Sequence, residues 1–96
     1  MEGENEIELT QLLFTFEGLG LMVFRGDVSI DVVDEMFRLN VTSGWRKLGP
    51  WIVSERERIG YSNNWEWFQW LAERLEERSG GEVPDPAYEL YRDWNE

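Results

Sequence analysis

Six of the 96 residues are tryptophan, and five of these, Trp45, Trp51, Trp65, Trp67 and Trp70, lie between positions 45 and 70. Burying one indole removes about 150 to 250 Å² from water. At about 25 cal/mol per Å² this contributes roughly 4 to 6 kcal/mol as an upper bound. A fold that leaves these rings in water forgoes its largest source of stability, so they belong first to a core. A chain of 96 residues has room for a single core. With 42% apolar and 30% charged residues, it has the balance of a folded domain rather than a disordered one.

The residues that usually advertise chemistry are missing. The chain has no histidine and no cysteine, hence no imidazole base, thiolate or disulfide, which fits a reducing compartment. It also has no phosphate loop, metal signature or nucleophile elbow. No cofactor and no enzymatic activity are expected, and the cytoplasm is the expected location.

The formal charge is −11, but residues 1 to 8 and 82 to 96 hold −8 of it and the body only −3. Acidic ends keep a chain soluble and repel nucleic acid and anionic lipid, so no nucleic-acid partner is expected. The first residues, Met1-Glu2-Gly3-Glu4-Asn5-Glu6, have neither the cations nor the apolar run of a targeting peptide. The longest apolar run, Leu12 to Phe24, is interrupted by Glu17 and falls short of the about 20 residues that cross a bilayer. No membrane insertion is expected. The divisions are an acidic tail at 1–8, a helical domain at 9–81, and a linker with a short C-terminal helix at 82–96.

Periodicity points to helices throughout. Leu9, Leu12, Leu13, Phe16, Leu19, Gly20, Val23 and Phe24 recur at three and four, and Arg25-Gly26 supplies a stop. Ser29 reads as the N-cap of a second helix, with Asp31 in its first turn and Ile30, Val33, Met36 and Phe37 on its apolar face. That helix is expected to end near Asn40. Thr42 or Ser43 then caps a third, in which Trp45, Leu48, Ile52, Val53 and Ile59 share a side and Gly49-Pro50 introduces a kink. Gly60 closes it. A fourth helix follows, with Trp65, Phe68, Leu71, Ala72 and Leu75 as its buried stripe. Asp85 as cap and Pro86 at the first helical position start a short terminal helix carrying Tyr88, Tyr91 and Trp94. No segment alternates with a period of two for long. The expected fold is all-α, a compact bundle of four helices plus a short C-terminal one.

Two constellations stand out. Glu17 is the one charge within the first apolar stretch, and a buried carboxylate needs a partner or a proton. Read as chemistry, it is a general acid or base. The structural reading is preferred: a buried ion pair with an arginine, Arg56 or else Arg46, whose disruption would cost about 3 to 5 kcal/mol. Asp31, Asp34 and Glu35 share a solvated face, but without the glycine and terminal glutamate of a calcium loop they do not make a metal site. The second constellation is Trp65, Trp67 and Trp70. Trp65 and Trp67 are roughly 200° apart around a helix, so at least one indole faces away from the core. Either the terminal helix covers that second face, which is the favoured reading, or Trp67 and Trp70 anchor a partner.

Several of these residues resemble a known family. Leu13-Phe14-Thr15-Phe16-Glu17-Gly18-Leu19-Gly20, Arg25-Gly26-Asp27-Val28, Trp45 through Leu48-Gly49-Pro50-Trp51-Ile52 to Arg56 and Gly60, and Trp65-Glu66-Trp67-Phe68-Gln69-Trp70-Leu71 are similar to an uncharacterised family of small bacterial all-helical domains, often found after a membrane segment. The resemblance runs from about Leu12 to Arg78. It implies a helical fold and Glu17 and Arg56 as paired core positions, and it implies no activity.

The expected function is a non-catalytic protein-interaction or regulatory module of a bacterial or phage cytoplasm, with another protein or a second copy of itself, as a homodimer, for a partner. The alternative is an acidic decoy of a nucleic-acid-binding protein. A carboxylate hydrolase using Glu17 ranks last.

Overall fold

The computed structural model describes the backbone of residues 2–79 and 85–95 and the side chains of 6–78 and 85–95. Among these the chain is all-α: α1 (Glu2–Arg25), α2 (Ile30–Ile59), α3 (Glu66–Ser79) and the single turn α4 (Ala87–Leu90). The start of the expected linker, 82–84, lies outside the described residues.

Local signals set most of the helix ends. Gly26 and Gly60 have φ of 82° and 69°, the left-handed conformation that stops a helix at little steric cost. Ser29 is the N-cap of α2, and its side chain accepts the Asp31 backbone N–H at 3.1 Å. The acidic segment at the start is already helical and forms the first turns of α1.

The expected second and third helices are one. α2 runs unbroken for 30 residues, through Asn40 and through Pro50. Thr42 is no cap: its hydroxyl donates to the Arg38 carbonyl at 2.8 Å, one turn back, and Val41 and Thr42 are buried. Gly44 faces the core within this unbroken stretch. An ideal Cβ there would lie in ordinary contact with the Phe16 and Phe68 rings, at 3.4 and 3.5 Å. Buried contact on both sides of Asn40 outweighs weak local preference for a break.

The uninterrupted α2 also makes the molecule elongated rather than compact. At 1.5 Å per residue it is about 45 Å long, and the principal extents are 53 × 32 × 25 Å. The radius of gyration is 15.7 Å, against about 12.5 Å for a compact domain of this size.

α3 packs against both α1 and α2 and supplies the centre of the core. Phe68, Leu71, Ala72 and Leu75 are at most 1% exposed, and around them lie Leu13 and Phe16 of α1 and Val33, Val41 and Ile52 of α2. Phe68 meets Phe16 with ring centroids 5.0 Å apart and Trp45 edge to face at 5.5 Å. Not every expected core position is covered: Leu12, Phe24, Met36, Phe37, Trp51, Val53 and Ile59 are exposed.

α1 also extends the apolar run. The stretch Glu6–Arg25 is long and apolar enough to cross a membrane by length and composition, with mean hydropathy of 1.4, and only 17% of its window is buried. The sequence expectation measured only Leu12 to Phe24, a shorter piece of this helix.

Candidate interaction surface

The beginning of α3 presents the tryptophans, and its placement depends on groups distant in sequence. Trp65 precedes α3 with φ of 57°, and its indole has no oxygen with which to cap the first N–H groups. Glu17 of α1 takes that role. Its Oε1 accepts the Phe68 backbone N–H at 2.8 Å, and the Trp67 N–H also bonds to it. A carboxylate at a helix N-terminus meets both unpaired donors and the positive end of the dipole.

Arg56 of α2 secures the same turn from the other side. Its Nε donates to the Asn64 carbonyl at 2.8 Å, one terminal nitrogen donates to Gln69 Oε1 at 2.7 Å, and the other reaches the Trp65 carbonyl at 3.5 Å. Its guanidinium also lies 5.9 Å from the centre of the Trp45 ring. Glu17 and Arg56 therefore act on one structural feature, but they form no direct ion pair among the described residues, because each spends its hydrogen bonds on the α3 turn. Arg46, the other arginine considered for Glu17, pairs instead with Glu76 at 2.8 Å on the surface.

The Glu17 carboxyl titrates above the ordinary glutamate range. Burial raises it most; the Phe68 and Trp67 N–H groups pull it down, the Glu66 charge pushes it up, and the Arg56 charge contributes the smallest pull. Chemically, the group can hold a proton, but its position in the α1/α3 seam is that of a helix cap.

The seam closes at Gly20. An ideal Cβ there would lie 2.2 Å from the Trp67 carbonyl oxygen, so only a residue without a side chain lets the backbones approach this closely. Trp67 then turns toward the end of α1. It packs at a tilt against Phe24 at 4.6 Å, while Trp70 meets Phe24 edge to face at 5.8 Å and Trp67 at 5.9 Å. Both indoles are half-buried, and Phe24 is 59% exposed. Arg74 sits 5.9 Å from the centre of the Trp70 ring, and Glu66 lines a shallow hollow with the two indoles.

The favoured expectation that the terminal helix covers Trp67 and Trp70 does not hold. α4 borders a hollow with Asp34 and Glu35 of α2, and the described residues 85–95, including Tyr88, Tyr91 and Trp94, are exposed. Its start differs as well, with Pro86 as the cap position and no side-chain cap bond. Of the acids considered for metal, Asp31 and Asp34 both pair with Arg78, and Asp34 also with Arg38 at 2.5 Å. Phe24 and Gly20 read as helix-face residues in the sequence. Their role beneath the indoles follows from where α3 lands.

The model of a family described as "Domain of unknown function (DUF4760)" matches residues 2–75. The chain belongs to this family. The match takes in Glu17, Arg56 and all five tryptophans between 45 and 70, so the α3 cap and the aromatic edge fall inside the family's domain, while α4 lies beyond it. No curated protein and no solved structure matches the chain.

Proposed function

We propose that this domain is a non-catalytic protein-interaction module whose partner-binding surface is the aromatic edge formed by Phe24, Trp67 and Trp70. The observation that carries the reading is three mutually packed aromatic rings at the α1/α3 seam that α4 leaves uncovered. Rigid, half-buried aromatics with a charged rim have the makeup of interface hot spots, and Glu66 and Arg74 supply that rim. The titratable group with chemical potential, Glu17, is engaged in capping α3, which supports a binding role over a hydrolytic one.

The test uses the full chain carrying Trp67→Ala or Trp70→Ala. A partner crosslinked by the wild type should be lost from both variants while the helical circular dichroism is unchanged. Unfolding of the variants would assign the indoles to the core, and unchanged crosslinking would remove this surface from the function.

A further inference from the structure

α1 is the most apolar long helix, yet most of its apolar stretch is uncovered. Its outer side is continuous. Ile7, Gln11, Phe14, Gly18, Met22 and Arg25 recur at spacings of three and four, so at 3.6 residues per turn they form one stripe. That stripe lies opposite the buried Leu13, Phe16 and Gly20. Between Glu8 and Arg25 the sole charge is Glu17, which is turned to Phe68. The Thr10 and Thr15 hydroxyls beside the stripe donate to the Glu6 and Gln11 carbonyls at 2.8 and 2.9 Å. A solvent-facing helix surface ordinarily carries charges; this one has them only at its ends.

We infer that the outer face of α1 is an antiparallel interface with a second copy of the same chain. Shape and charge on the stripe complement each other under a two-fold axis. Phe14 projects, 64% exposed and held edge-on by Trp65 at 4.9 Å. One turn later Gly18 is a notch, where an added Cβ would meet nothing within 4 Å. Setting Phe14 of each copy over Gly18 of the other fixes the register. The same register lays Arg25 opposite Ile7, between the exposed Glu6 and Glu8 of the other copy, and the two-fold forms each contact twice. Arg25 and Glu8 have no ion-pair partner among the described residues of their own chain. A parallel pairing would instead place Glu6 and Glu8 against their own copies. This interface uses a different side of the molecule from Trp67 and Trp70 and stands apart from the role proposed for them.

The experiment is light scattering during size-exclusion chromatography of the full chain over a concentration series. It is run at physiological and at molar salt, where repulsion between two chains of −11 is screened. The wild type should reach twice the monomer mass. Gly18→Arg, whose Cβ meets nothing within 4 Å in its own chain and whose side chain fills the notch, should weaken dimerisation about tenfold or more with unchanged circular dichroism. Because the chain has no cysteine, Gln11→Cys and Met22→Cys report direction: oxidising their mixture should favour the 11-to-22 disulfide over 11-to-11 and 22-to-22. A monomer at every concentration, a dimer indifferent to Gly18→Arg, or a preference for the symmetric disulfides would each overturn the inference. A monomer that floats with neutral phosphatidylcholine vesicles, and ceases to do so with Phe14→Ser, would assign the face to lipid instead.

Discussion

Removing the Glu17 side chain tests whether one carboxylate from α1 caps α3. In Glu17→Ala the Phe68 and Trp67 N–H groups lose their acceptor. A hydrogen bond to a charged group contributes about 1.5 to 3 kcal/mol, and the orphaned donors are only partly reached by water. The expected loss is therefore about 1.5 to 3 kcal/mol, read as a lower urea midpoint followed by circular dichroism. Glu17→Gln keeps an acceptor oxygen and loses only the favourable charge at the helix end, about 0.3 to 1 kcal/mol, while it also relieves the burial cost of that charge. Its expected change is under about 1 kcal/mol, and the 3 to 5 kcal/mol of a broken buried ion pair is not expected, since Arg56 keeps its own partners. The pH dependence has a definite sign. Burial raises the folded-state pKa of Glu17, so the folded state binds the proton more readily than the unfolded chain. The wild type should gain stability relative to Glu17→Gln as pH falls toward the ordinary glutamate value of about 4.3, and lose that advantage as pH rises through the folded pKa. Equal losses in the Ala and Gln variants, or a loss below about 0.5 kcal/mol in Glu17→Ala, would refute the capping argument.

Two further outcomes test the packing and the surface charges. Gly20→Ala places a methyl group 2.2 Å from the Trp67 carbonyl oxygen; forcing α1 and α3 apart should cost about 1 to 3 kcal/mol despite the about 1 kcal/mol gained in helix propensity, and an unchanged urea midpoint would contradict the close approach. Asp34 is held below the ordinary aspartate range, first by its bond to Arg38 and then by that to Arg78, so its contribution is present above the unfolded pKa of about 3.9 and declines as pH falls through the lower folded value. Asp34→Asn should flatten the acid limb of the stability profile, and an unaltered limb would show that these surface pairs contribute nothing measurable.

Much of the helical framework was legible because its signals are local. Arg25-Gly26, Ser29 and Gly60 mark the ends they were read to mark, since a left-handed glycine or a capping hydroxyl acts within a few residues. The stripe Phe68, Leu71, Ala72 and Leu75 was also plain, because helical period alone places those side chains on one face. Trp67 stands apart from it, whereas Trp70 packs in part against the core, and nothing in their spacing told what lay beside them.

The sequence by itself determined an all-helical chain, the ends of its first long helices and the inward face of α3, all consequences of backbone preference and period within a helix. Tertiary structure decided the rest. Asn40 and Gly49-Pro50 read as an end and a kink, yet buried contact with α1 and α3 carries α2 through them, because burial of several large side chains outweighs local costs of about 1 to 3 kcal/mol. Glu17 announced that it needed a partner and gave no hint that the partner was the backbone of a helix 51 residues away. Hydrogen bonds to backbone N–H groups leave no mark on residue identity, so only the arrival of α3 beside α1 reveals them.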